Sequence, residues 1–158
     1  MTEQTIVSVF QHDHQELDRA LEQYRSLKQT HVQAAKDSFK RVLTGLKRHI
    51  IWEEELLFPL WERKSGMTGG GPTQVMRLEH RRIADLLHAI HEKVQAGNIG
   101  TEEEERQLVE LLASHNMKEE RILYPAIDQI MSMEERADIF QAMKDLPEER
   151  YHACCEGA

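Results

Sequence analysis

Histidine and glutamate recur in this chain at a spacing that could hold metal ions. The segment HIIWEEELLFP, which starts at His49, and the segment HNMKEERILYP, which starts at His115, both read His-x-x-x-Glu-Glu-x-x-Leu-aromatic-Pro. Residues four apart on a helix lie on one face, about 6 Å apart along the axis. Each histidine therefore faces the same way as its glutamate, Glu53 or Glu119. Imidazole and carboxylate are ligands of non-haem iron, manganese and zinc.

The two segments belong to a longer internal repeat. His115 follows His49 by 66 residues, and His80 follows His14 by the same 66. His14 precedes His49 by 35 residues, and His80 precedes His115 by 35. The sequence is therefore interpreted as two copies of one helical hairpin.

A single His-x-x-x-Glu pair is weak evidence, since it is common on exposed helix surfaces. Here, however, His49 and Glu53 share a helix face with apolar residues such as Val42 and Leu46. A buried carboxylate without a partner is unfavourable by several kcal/mol, and buried charges are normally paired or bound to metal. Four histidines and two glutamates that converge from four helices would satisfy one another poorly, whereas two divalent cations would satisfy them well.

The elements that must position these residues are helices. Apolar residues recur at helical spacing almost throughout, and no stretch alternates with the period of a strand. Breaks are predicted near residues 29–31, in the Gly-rich segment 65–72 and in residues 96–100. The predicted fold is all-α, an up-down-up-down four-helix bundle built from two duplicated hairpins, with a short extra C-terminal helix.

Two capping boxes mark predicted helix starts: Thr101 with Glu104 opens the fourth long helix, and Ser132 with Glu135 opens the short C-terminal one. Thr30 is a candidate cap for the second helix. The chain is predicted to be a single domain over residues 1–158, with the bundle over about 5–130 and the short helix and tail over 132–158.

Composition limits the possible partners. The 28 acidic against 20 basic residues argue against nucleic acid or an anionic membrane as a partner. No apolar run approaches the roughly 20 residues that span a membrane, and the N-terminus lacks the features of a signal peptide. We therefore expect a cytoplasmic protein. The adjacent Cys154 and Cys155 exclude a disulfide framework, and either form part of an exposed tail or have a redox or metal-handling role.

The duplicated motifs resemble those of the hemerythrin-like family, the HHE cation-binding domain, over roughly residues 5–130. This resemblance implies a four-helix bundle that holds two iron ions in an oxo- or hydroxo-bridged di-iron centre. It implies terminal imidazole ligands and two bridging carboxylates, Glu53 and Glu119. The implied metal ligands are His14, His49, Glu53, His80, His115 and Glu119. Zinc or manganese would fit the same ligands.

The sequence departs from the oxygen-carrying members at two positions. Ala84 stands where they have a further histidine, and Glu119 precedes by one residue the position where they have an aspartate. The resemblance is therefore to the six-ligand bacterial proteins, which implies open positions for a small diatomic or peroxide ligand. Three functions are therefore compatible with the resemblance. The chain could be an oxidoreductase acting on peroxide or nitric oxide, a sensor of oxygen or iron without turnover, or a factor for iron-sulfur cluster repair.

Several other polar residues could lie near the centre. Asp18 is either a seventh ligand or, as we favour, an acid that supports a ligand or contacts water. Glu54 and Glu120 are expected to contact water or support ligands. Tyr24 and Tyr124 could hydrogen-bond near the centre, but we favour packing tyrosines whose hydroxyls contact water. Four further histidines are expected to be ordinary polar residues: His12, His31, His88 and His91.

Overall fold

A computed structural model describes residues 3–152 of the chain, and these residues form helices and loops without strands. The predicted all-α class is therefore confirmed. The helices are α1 (Ile6–Leu27), α2 (Val32–Ile51), α3 (Phe58–Ser65), α4 (Pro72–Gln95), α5 (Glu102–Lys118), α6 (Tyr124–Ile130), α7 (Met133–Asp145) and α8 (Glu149–His152). None of the described helices has the length and apolarity needed to cross a membrane. Cys154 and Cys155 lie outside the described residues.

The helix breaks fall where the sequence predicts them. Gly66 caps the C-terminal end of α3 and Gly97 lies shortly after α4, and these glycines adopt φ values of 76° and 78°. Such left-handed backbone favours glycine because it has no Cβ. The prediction of Thr30 as a cap is wrong, since His31 occupies the N-cap of α2 and no side chain caps that helix.

The two predicted capping boxes have different outcomes. Ser132 and Glu135 exchange the expected hydrogen bonds at the start of α7. Thr101 does precede α5, but its side chain does not cap the helix. Its hydroxyl donates instead to Glu105 Oε2 at 2.5 Å, and Glu104 pairs with a lysine of the preceding helix. The Thr101 hydroxyl therefore bonds the buried carboxylate of Glu105 and not the backbone N–H that a capping box would require.

Each copy of the repeat contains a π-helical turn that the sequence interpretation did not predict. In the first copy this turn is Trp52–Leu57, between α2 and α3, and the N–H of Phe58 donates to the carbonyl of Glu53, five residues earlier. Pro59 follows directly and has no N–H to donate. The second copy has the equivalent turn, Glu119–Leu123, between α5 and α6. Single π turns inside helices are rare and frequent at functional sites.

The helices pack as two hairpins, α1 with α2 and α4 with α5. Two apolar clusters form the core, one around Leu17, Leu46 and Leu112 and the other around Phe10 and Leu57. Each predicted ligand lies, along its helix, between a residue of one cluster and a residue of the other. The six predicted ligands thus form a polar layer between two apolar layers.

Candidate metal centre

The structure brings all six predicted ligand residues together in the interior, each with at most 3% of its surface exposed. Their donor atoms form two groups that share one glutamate, and within each group the atoms lie within 4.8 Å of one another. The first group contains His14, His49 and Glu119. The second contains Glu53, His80, His115 and Glu119. Both groups have the composition of a metal site, and they are adjacent.

Glu119 connects the two hairpins of the repeat. Its Oε1 lies 3.2 Å from Nε2 of His14 in α1 and 3.2 Å from Nε2 of His115 in α5. One carboxylate oxygen thus faces a histidine from each half of the chain, as a carboxylate shared between two cations would.

Glu53 occupies the equivalent place from the other hairpin. Its Oε1 lies 3.1 Å from Nε2 of His80 and 3.5 Å from Nε2 of His49. Neither Glu53 Oε1 nor His80 Nε2 has a hydrogen-bond partner among the described residues, and Glu119 Oε2 also lacks one. Buried polar atoms without partners are costly, and a cation between them would supply the missing interaction. The residues present therefore fit a pair of cations.

Besides Glu53 and Glu119, four further carboxylates hydrogen-bond the Nδ1 nitrogens of the four histidines, on the side away from the centre. Within each hairpin, His49 Nδ1 lies 2.7 Å from Asp13 Oδ2 and His115 Nδ1 lies 2.9 Å from Glu79 Oε1. Asp13 and Glu79 each precede a predicted ligand histidine and are 66 residues apart, but neither was predicted from the sequence. That shared offset is the signal that could have found them.

The other two carboxylates bind histidines across the two hairpins. His80 Nδ1 lies 2.5 Å from Glu54 Oε2, and His14 Nδ1 lies 2.8 Å from Glu120 Oε2. Glu54 and Glu120 were expected either to contact water or to support a predicted ligand. The structure shows each of them bonded to a predicted ligand histidine. A carboxylate on Nδ1 fixes its proton there and leaves the Nε2 lone pair free for a metal.

These supporting carboxylates have partners of their own, and the partners differ. Three carboxylates contact a cation and one contacts a neutral amide. The pairs are Asp13 with Arg48, Glu79 with Lys118, Glu54 with Arg77, and Glu120 with Gln11. Three of the four supporting carboxylates are therefore paired with a positive charge on the side away from the centre.

Tyr124 lies inside the centre rather than at its edge. Its side chain is fully buried, and its hydroxyl donates to Glu53 Oε2 at 2.7 Å and lies 3.0 Å from Glu119 Oε1. For Tyr124 the structure therefore shows the hydrogen bond near the centre, and the favoured alternative of a hydroxyl in contact with water is wrong. It is also wrong for Tyr24, whose buried hydroxyl bonds Thr101.

The acidic surroundings change the titration of the histidines. Burial disfavours the charged form of His14, but hydrogen bonding and attraction to Glu119 outweigh it and raise the pKa of His14 to about 9. His80 behaves in the same way, since Glu53 and Glu54 outweigh burial and raise its pKa to about 10. Without metal, His14 and His80 therefore retain protons at neutral pH.

The two central carboxylates titrate as a pair. Burial and the charge of Glu119 raise the pKa of Glu53. Although burial opposes ionisation of Glu119, hydrogen bonds from Glu53, His115 and His14 hold its pKa well below the ordinary range. Protons thus take the place of some of the positive charge that cations would supply.

Solvent reaches the neighbourhood of the centre from two sides. A groove of about 610 Å³ between α1 and α5 is lined by Asp18 and Asn116, and these two residues also line a small cavity in contact with the four central histidines. A second groove of about 430 Å³ lies between α2 and α4 and is lined by His80, Ala84 and Leu87. Asp18 is exposed and lies outside both ligand groups.

The remaining histidines lie outside the two ligand groups. His12, His31 and His88 are exposed, and His91 is half-buried in the groove between α2 and α4.

The all-helical fold and the buried histidines and glutamates define a class, a helical protein with a site suited to cations. The family model of the hemerythrin HHE cation-binding domain matches residues 5–127. The chain therefore belongs to the hemerythrin HHE family. The comparison with curated proteins and the comparison with solved structures gave no match.

Proposed function

We propose that this chain is a four-helix-bundle protein that holds two iron ions and binds or reacts with a small ligand such as oxygen, nitric oxide or peroxide. One observation carries the proposal: two buried donor groups share Glu119 and leave central oxygen and nitrogen atoms without hydrogen-bond partners. His14 and His49 would hold one cation, His80 and His115 the other, and the two glutamates would contact both. Bound iron supplies the capacity to exchange electrons and to bind small anions or diatomic molecules.

The chain's own residues prepare this site in three ways. The supporting carboxylates keep each Nδ1 protonated, so that each Nε2 is available inside. The apolar clusters on both sides exclude bulk water. The groove beside His80 reaches the centre through a mainly apolar wall that includes Ala84 and Leu87, which suits the entry of a small uncharged ligand.

Ala84 supports an open coordination position. It lies one turn after His80 and lines the same groove, and it offers no donor atom. We expect the iron-loaded, oxidised protein to bind azide and to consume peroxide or nitric oxide.

The matched variants for this position are Ala84→His, which adds a donor, and Ala84→Leu, which adds bulk alone. Ala84→His should weaken azide binding about tenfold or more, while Ala84→Leu should weaken it less, provided both retain two irons. Azide affinities equal to the native value in Ala84→His, with metal content unchanged, would contradict an open position next to His80.

A sensor without turnover is the second candidate, and one feature favours it. Glu54 and Glu120 bind histidines of the opposite hairpin, so a change of ligand at the centre would change how the hairpins are held together. Turnover assays with peroxide and nitric oxide separate the two candidates. Stoichiometric reaction that stops after one equivalent, together with altered amide exchange in α1 and α4, would favour the sensor.

A further inference from the structure

The hydroxyl of Tyr124 is surrounded by atoms that would bind one metal. Besides the contacts to the two glutamates, Oη lies 3.3 Å from Nε2 of His49 and 3.4 Å from Nε2 of His14. Both nitrogens belong to the first ligand group, which also contains Glu119. The hydroxyl thus lies within 3.4 Å of both histidines of the first group and of both central glutamates.

These distances match those between neighbouring ligands on one metal. Donor atoms bound at about 2.0–2.2 Å and at right angles lie about 3 Å apart. The four distances from Tyr124 Oη run from 2.7 to 3.4 Å. An oxygen at this place would occupy one corner of the coordination shell formed with His14 and His49.

The other half of the repeat has no such oxygen. The residue equivalent to Tyr124 is Phe58, whose fully buried ring is parallel to the imidazole of His80 at 6.0 Å between centroids. The duplication therefore places two equivalent histidines at each cation position. A phenol, however, lies at only one of the two positions.

We propose that Tyr124 is a seventh ligand of the centre, bound through its phenolate oxygen to the metal held by His14 and His49. This inference rests on the proposed di-iron function. On binding, the O–H bond of Tyr124 breaks, a bond from Oη to the metal forms, and the proton passes to solvent; no electron is transferred. Ligands that carry a proton lose it in this way when a metal binds.

The consequence is a centre with two unequal metals. The metal held by His14 and His49 gains a third type of ligand, which fills its free coordination position. The metal held by His80 and His115 keeps a free coordination position. The open metal lies beside the groove that contains Ala84. Small ligands are thus directed to one metal.

The test uses the full chain loaded with two ferric irons and resonance Raman spectroscopy in the visible region. Iron(III)-phenolate bonds give a charge-transfer absorption and enhanced phenolate ring modes, which shift when the protein contains ring-deuterated tyrosine. We expect these modes in the native protein and their loss in Tyr124→Phe. Tyr24→Phe is the matched control, because it removes another buried hydroxyl that bonds Thr101 rather than the centre.

Each outcome decides the proposal. Phenolate modes that are present in the native protein and in Tyr24→Phe but absent from Tyr124→Phe with two irons support it. A native protein with two irons and no modes sensitive to tyrosine deuteration overturns it, and this result does not depend on the folding of any variant. A protein that binds no iron overturns the proposed function as well, so the two failures are distinguishable.

Discussion

The individual histidines of the centre are fixed by hydrogen bonds that point away from it. Each Nδ1 donates to a carboxylate, and each Nε2 faces Glu53 or Glu119. The ring nitrogens thus have different tasks, one structural and one for the cation. An imidazole without the outer carboxylate would rotate more freely and would be a weaker base.

Removal of one outer carboxylate should weaken metal binding without altering the ligand set. Glu54→Ala leaves His80 without its partner, and we expect metal affinity to fall about 10- to 100-fold. Competition against a chromogenic chelator measures this change. The control is Glu55→Ala, since the neighbouring Glu55 is half exposed and pairs with Arg150 at the surface. Equal affinities for both variants would show that the Glu54 contact does not support the metal site.

Metal-free protein should lose stability as the pH rises. The raised pKa values of His14 and His80, about 9 and about 10, mean that their protonated forms favour the folded state. This stabilisation is complete below the unfolded value of about 6.5 and disappears as the pH rises through the folded values.

The measurement is the melting temperature in excess chelator between about pH 6.5 and about pH 10. We expect it to fall with rising pH, whereas the increase in melting temperature that metal produces should grow, because metal binding requires neutral imidazole. A chelated protein that becomes more stable toward pH 10 would refute the assignment of these protons.

The sequence predicts six candidate ligands from their types and their offset of 66, and the structure brings these six side chains together in the interior. Sequence does not predict which way an aromatic hydroxyl points, so a hydrogen bond from Tyr124 near the centre was only the less favoured alternative. Asp13 and Glu79 were missed because an acid next to a histidine faces another direction on a straight helix. The contacts of these two acids depend on how the neighbouring helices pack.

At the scale of elements, the π turns show what helical periodicity cannot reveal. Glu53 and Glu119 lie at the start of these turns, and a five-residue hydrogen bond shifts the residues that follow relative to a regular helix. The same shift places the side chains of Phe58 and Tyr124 next to the centre. The glycines of residues 65–72 and 96–100 made two helix breaks predictable, whereas helical spacing did not reveal that Val75 and Ile122 are 44% and 63% exposed.

A buried ion pair joins the end of α1 to the start of α5. Lys28 Nζ lies 2.5 Å from Glu105 Oε2, and both side chains are almost fully buried. Lys28→Met leaves this carboxylate without its lysine, and we expect the free energy of unfolding to fall by about 3 kcal/mol. Chemical denaturation measures the change.

The matched control is Lys93→Met, which removes the more exposed lysine paired with Glu104. We expect a loss of less than about 1 kcal/mol there. Both variants should keep their full metal content, since these pairs are remote from the centre in sequence and contact no ligand. Similar losses of stability in the two variants would contradict the special role of the buried pair.

The whole molecule is two similar hairpins joined across a polar layer. The apolar clusters join the two halves, and at the centre Glu119, Glu54 and Glu120 each contact a histidine of the opposite half. We infer that bound cations stabilise the association of the hairpins as well as the site.

Metal content is the most direct measure of the proposed function. Protein purified without added metal should contain two irons per chain, with an oxo-to-iron absorption band in the visible region. The double substitution Glu53→Ala with Glu119→Ala removes both central carboxylates and should abolish binding of the pair. His12→Ala with His88→Ala, at two exposed histidines outside the ligand groups, should retain both irons. A native protein with at most one metal per chain, or two irons that persist after loss of both glutamates, would contradict the assignment of this di-iron centre.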